Sequence, residues 1–133
     1  MSGNMSSLHE LGRLGQSVWF DNISRNLIAS GDLRKLIELG VTGLTSNPSI
    51  FEKAVSGSTD YDDSMLQYSR EGLSVERVFE SMAIEDIRAV ADLLKPIYDR
   101  TEGVDGYVSL EVNPHLAADT DGTVSEGSRI FET

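Results

Sequence analysis

Three short apolar runs constrain the fold most: "SVWFD" at 17–21, "VTGLT" at 41–45 and "GYVSLEVNPH" at 106–115. Each carries β-branched, aromatic or aliphatic residues and ends at a polar residue or a proline, which predicts three β-strands. Gly43 weakens the second. Between the runs lie stretches with apolar residues at helical spacing. Strands separated by helices are not hairpins; they form parallel strands joined by right-handed crossovers, the α/β class. The 133 residues, 39% of them hydrophobic, suit one domain with a real core.

Residues 22–40 read as helical, with Asp32 as an N-cap, Leu33, Leu36, Ile37 and Leu39 as the apolar positions, and Gly40 as the stop. Asn47 and Pro48 suit the N-cap and first position of another helix, broken at Gly57 and Ser58. Asp60 to Arg70 is a further segment, its "TDYDD" an acidic first turn and Gly72 its end. The longest pattern runs from Ser74 to about Asp99, with Val75, Phe79, Met82, Val90, Leu94 and Ile97 near one face. A division is expected near Ser81, and Pro96 should kink or end it. "AADTDGT" then reads as a loop, and "VSEGSRIFET" opens a helix that stops at Thr133. Residues 1–15 are polar, and flexible or helical.

The net charge of −11 argues against nucleic acid or an anionic membrane as partner, since both require clustered Lys and Arg. There is no cysteine, hence no disulfide and no thiolate metal site. Without a signal layout or an apolar run near 18 residues, the expectation is a cytoplasmic protein.

Ligands of parallel α/β sheets bind at the carboxyl ends of the strands. The first predicted strand ends at Asp21, the second at Thr45 with Asn47 just beyond, and the third at Glu111. Parallel strands bring these ends to one mouth, where two carboxylates and an amide converge. A glutamate flanked by Leu110 and Val112 is costly unless something pairs with it or uses it. The plainer alternative makes Asp21 and Asn47 helix caps and Glu111 a satisfied rim carboxylate. Other candidates are weaker. With Asp119 and Asp121 as third and fifth ligands of a calcium loop, the first falls on Ala117 and the twelfth on Ser128, where a glutamate is needed. His9 and His115 are too isolated for a metal site, and "GRLGQS" lacks the spacing and Lys of a phosphate loop. Arg25 stands close enough after Asp21 to reach an anion or to form a salt bridge.

At these residues the sequence resembles the transaldolases, in the bacterial branch that includes chains fused to a glucose-6-phosphate isomerase. The matching stretches are "SVWFDNISR", "GVTGLTSNPSIFEKA" and "GYVSLEVNPHLAADT", in that order. The resemblance implies a (β/α)8 TIM barrel, of which these residues hold the first three βα units, ending before strand 4. It implies transfer of a dihydroxyacetone unit from a ketose phosphate to an aldose phosphate in the pentose phosphate pathway. A lysine on the fourth strand forms a Schiff base, with no metal and no organic cofactor. Carried over by motif, Asp21 contacts substrate hydroxyls and assists the bond-breaking proton transfer. Asn47 binds the dihydroxyacetone portion and Thr45 lines the site. Glu111 works through a bound water as acid and base. Sugar phosphates are the implied partners, and a homo-oligomer is compatible with the full-length enzyme.

The departure is large. The three lysines, Lys35, Lys53 and Lys95, all fall in helical patterns, so the nucleophile is expected beyond Thr133. The chain alone should therefore be inactive. The alternatives are a non-catalytic module whose partner supplies the missing strands, and an independent binding module. Three parallel strands leave two raw edges. If Trp19, Leu44 and Leu110 face an open interior, the isolated chain should not fold cooperatively.

Overall fold

The computed structural model describes residues 6–133. Three strands, β1 (Trp19–Asp21), β2 (Gly43–Ser46) and β3 (Val108–Leu110), form one parallel sheet in the order β1-β2-β3. Asp21 pairs with Thr45, Thr45 with Ser109 and Ser46 with Leu110. The buried Ser46 hydroxyl adds a cross-strand bond, donating to the Ser109 carbonyl at 2.7 Å. All three strands therefore end at one level, as expected.

Helix α1 (Ser7–Arg13) precedes the sheet, and Ser6 caps it by accepting from the His9 amide. Of the N-terminal 15 residues, 7–13 are helical, and residues 1–5 lie outside the described residues. The helical stretch after β1 divides into α2 (Arg25–Ala29), capped by Ser24, and α3 (Asp32–Glu38). Asp32 is the first residue of α3 and not its cap. Gly31, at φ 81°, turns the chain there, and the Ser30 hydroxyl accepts from the Asp32 amide. Between β2 and β3 come α4 (Pro48–Ser56), α5 (Asp62–Arg70) and α6 (Val75–Arg100), the inserted helices that the long interval required.

Helix α6 is one unbroken helix of 26 residues, with neither a division at Ser81 nor an end at Pro96. Its buried residues, Val78, Met82, Ala83, Asp86, Val90, Leu94 and Ile97, recur at helical spacing through both points. An internal proline costs about 3 kcal/mol. Burying Leu94 and Ile97 on either side returns roughly 1.5–3 kcal/mol each, which holds the last turn in place. Val75, in contrast, is 81% exposed and does not belong to the buried stripe. A 3-10 turn (Pro114–Leu116) follows β3, then α7 (Thr120–Phe131). This helix begins inside the stretch read as a loop, because Asp119 caps it by accepting from the Gly122 amide at 2.9 Å.

The helices cover one sheet face. Leu44 is fully buried with Ile23, Leu33, Phe51, Val90 and Leu94, and Phe20, Val108 and Leu110 pack against that cluster. A smaller cluster of Tyr61, Val78 and Met82 seats α5 on α6. Alternation puts Trp19, Asp21, Gly43 and Thr45 on the other face. The expectation that Trp19, Leu44 and Leu110 share an open face is therefore corrected. Leu44 and Leu110 lie one position out of phase with Trp19, and a shift of one residue reverses the face. Only Trp19, 39% exposed, stands on the uncovered side.

Trp19 lies flat on Gly43, where a Cβ would sit 2.3 Å from the indole. Its Nε1 donates to Asp105 at 3.2 Å, and the Ser17 hydroxyl donates to the same carboxylate at 2.6 Å. This buried link closes the amino end of the sheet, opposite the candidate site. Gly43→Ala will displace the indole and cost about 1–3 kcal/mol, read as a lower urea midpoint with unchanged slope.

Candidate active site

At the carboxyl end of the sheet the Thr45 hydroxyl donates to Asp21 Oδ1 at 2.7 Å. Both residues are held by the β1–β2 register, so the contact is fixed by strand pairing and does not depend on a mobile loop. Asn47 follows β2 in extended conformation and caps α4, its Oδ1 accepting from the Ile50 amide at 3.0 Å. Its side-chain NH2 makes no hydrogen bond among the described residues. Asn47 is therefore a cap with two unspent donors, which joins the two readings the sequence left open.

Glu111 lies one residue beyond β3 and is exposed. It has no hydrogen bond or ion pair to protein among the described residues, and its exposure leaves the carboxylate to solvent. Extending the β2–β3 register by one step sets it opposite Asn47. With Phe51, Phe79 and Leu110 it lines an open cleft of about 510 Å3 on the side of the helices, a cleft that Asp21, Thr45 and Asn47 do not line. The fold thus joins Asp21 to Thr45 directly and sets Asn47 and Glu111 opposite each other, one step beyond the β2–β3 pairing. No hydrogen bond connects Glu111 to the other three.

Arg25 is spoken for. Its Nε donates to Asp86 at 3.2 Å, and its Nη1 to the Ser64 hydroxyl at 2.7 Å and the Asp60 carbonyl at 3.2 Å. Its Nη2 pairs with Glu85, and the guanidinium stacks on Tyr61, 4.5 Å from the ring centre. Asp86 is 3% exposed and also accepts from the Tyr61 hydroxyl at 2.6 Å. Burial holds the Asp86 carboxyl above its ordinary value, with the bonds from Tyr61 and Arg25 pulling the other way. Burial, then the bond to Asp86, push the Tyr61 phenol up as well. Sequence reasoning overlooked this network, although one signal was present: Asp86 falls between Met82 and Val90 at i, i+4 spacing, on the buried stripe of α6.

The lysines lie where the sequence put them. Lys35 on α3 pairs with Asp32 at 2.8 Å, Lys95 on α6 pairs with Asp99 at 2.7 Å, and Lys53 is exposed in the last turn of α4. None occupies a strand end among the described residues. The acidic run near Asp60 gives α5 its first-turn Asp62 and Asp63, as read.

A sequence profile of the Transaldolase/Fructose-6-phosphate aldolase family matches residues 18–133. The chain belongs to this family. It is 51% identical over 128 residues to a transaldolase of Thiobacillus denitrificans, covering 96% of this chain and 36% of the relative. A transaldolase of Trichodesmium erythraeum is 46% identical over 125 residues, 93% of this chain and 33% of that protein. One from Neisseria gonorrhoeae is 44% identical over 126 residues, 95% and 36% respectively. The chain spans about a third of the length of the curated relatives it matches. No helix among the described residues is long and apolar enough to cross a membrane.

Proposed function

We propose that these residues form the first three βα units of a (β/α)8 barrel and carry the acid/base and hydroxyl-binding half of a transaldolase-type site. The reaction moves a dihydroxyacetone unit from a ketose phosphate to an aldose phosphate through a Schiff base, in the cytoplasm. The observation that carries this reading is the Asp21–Thr45 pair, at the carboxyl ends of adjacent parallel strands in a member of this family.

Each role follows from the state of the side chain. Glu111 has no competing partner, so it is free to hold a water and pass a proton to the hydroxyl that leaves as the carbinolamine dehydrates. Thr45 orients Asp21 to take the hydroxyl proton of the substrate as the carbon–carbon bond breaks, its electron pair flowing into the iminium. The unspent Asn47 NH2 donates to the dihydroxyacetone oxygens. The amine must come from outside Lys35, Lys53 and Lys95, since each lies on a helix.

Borohydride reduction in the presence of fructose 6-phosphate tests this. The 133-residue chain alone should acquire no covalent adduct by mass. The same chain joined to the remaining length of the Thiobacillus denitrificans transaldolase should be trapped and should turn over. An adduct on the isolated chain, or a folded but inert joined protein, sinks the reading.

A further inference from the structure

We propose that Arg25, Tyr61 and Asp86 are positioning residues for Asp21, clamping the segment that carries it; this rests on the transaldolase reading for its catalytic consequence. Asp21 closes β1, and only Asn22, Ile23 and Ser24 separate it from α2. Ile23 is fully buried. The Arg25 amide donates to the Tyr61 hydroxyl at 3.1 Å, and that hydroxyl donates onward to Asp86 at 2.6 Å. The Arg25 side chain meets Asp86 and Glu85 on α6, and Ser64 on α5. The segment after Asp21 is thus fixed at the strand by Thr45 and at the helix by two other helices. A catalytic group held at both ends of a short turn loses little freedom on reaching its reactive geometry. The network also explains why a cation follows Asp21 without serving an anion: Asp86 and Glu85 already neutralise it.

Carboxyl carbon NMR of the joined protein tests the clamp without any catalysis. Thr45→Val gives the Asp21 shift with its hydrogen bond absent. Tyr61→Phe and Arg25→Lys should move the Asp21 shift most of the way to that value and lower backbone order at Asn22 to Ser24. Amide protection at Val90 and Leu94 should persist. An unmoved Asp21 signal overturns the proposal, and so does loss of α6 protection in step with it, which marks a merely structural role. In the joined protein the same variants should lower kcat about 10- to 100-fold with KM little changed. If the unsubstituted joined protein is inert, the transaldolase reading fails, while the NMR shifts still decide the clamp.

Discussion

Asp86→Ala will destabilise the fold by about 1–3 kcal/mol, the cost of leaving a buried hydrogen-bonding group without its partner. Asp86 is 3% exposed and holds two partners at once, the Tyr61 hydroxyl and Arg25 Nε. Removing the carboxylate leaves the buried Tyr61 hydroxyl without an acceptor, while Arg25 keeps Glu85, Ser64 and the Asp60 carbonyl. Asp86→Asn keeps an acceptor for Tyr61 and loses only the charge, so it should cost less than the alanine. Urea unfolding of the three proteins ranks them. Equal midpoints for wild type and alanine would mean that the network contributes nothing to stability.

Two buried carboxylates also give opposite pH slopes. Burial raises Asp86, so the unfolded chain releases that proton first. Its contribution is present below the ordinary carboxylate range and is lost as pH rises through the raised value. Burial would raise Asp105 too, but bonds from Ser17, Thr42, the Gly106 amide and Trp19 outweigh it and leave it lowered. Its contribution is present above the ordinary range and is lost as pH falls through the lowered value. The stability gap between wild type and Asp86→Asn should therefore shrink as pH rises. The gap to Asp105→Asn should shrink as pH falls.

The sequence disclosed the elements that local chemistry determines. Asn47 and Pro48 announce α4 because a cap and a proline act within one turn. Strand ends were readable because each run stops at a residue that serves an end better than a middle. Long-range packing was not readable. Pro96 is tolerated because Leu94 and Ile97 are buried against a sheet that lies far away in sequence. The face assignment of Leu44 and Leu110 needed the register, since period-2 alternation tells which residues share a face but not which face the helices cover. Asp119 looked like part of a loop because an Asp in a Gly-containing run suits a turn and a cap alike. For the site, the four rim residues were legible from position. That Thr45 bonds Asp21, that Asn47 is half spent as a cap and that Arg25 is neutralised required side-chain geometry.

Glu111→Gln in the joined protein should lower kcat by about 10²–10⁴-fold, the usual contribution of a positioned proton-transfer group. The substitution separates chemistry from folding, because Glu111 is exposed and has no partner among the described residues. Its melting temperature should not move. Glutamine keeps the size and can still bind a water, but it cannot carry the proton that carbinolamine dehydration and its reverse exchange. Adduct formation, followed by borohydride trapping, should slow with turnover, since Schiff-base formation is the step proposed for Glu111. Asp21→Asn should behave differently: trapping stays fast, while cleavage of the carbon–carbon bond is lost and the adduct accumulates. The Thr45 hydroxyl can still donate to the new amide oxygen, so the geometry at β1 and β2 is retained. The contrast assigns the two carboxylates to two steps. Equal slowing of trapping by both variants would place Asp21 and Glu111 at the same step and would remove the division of labour proposed for them.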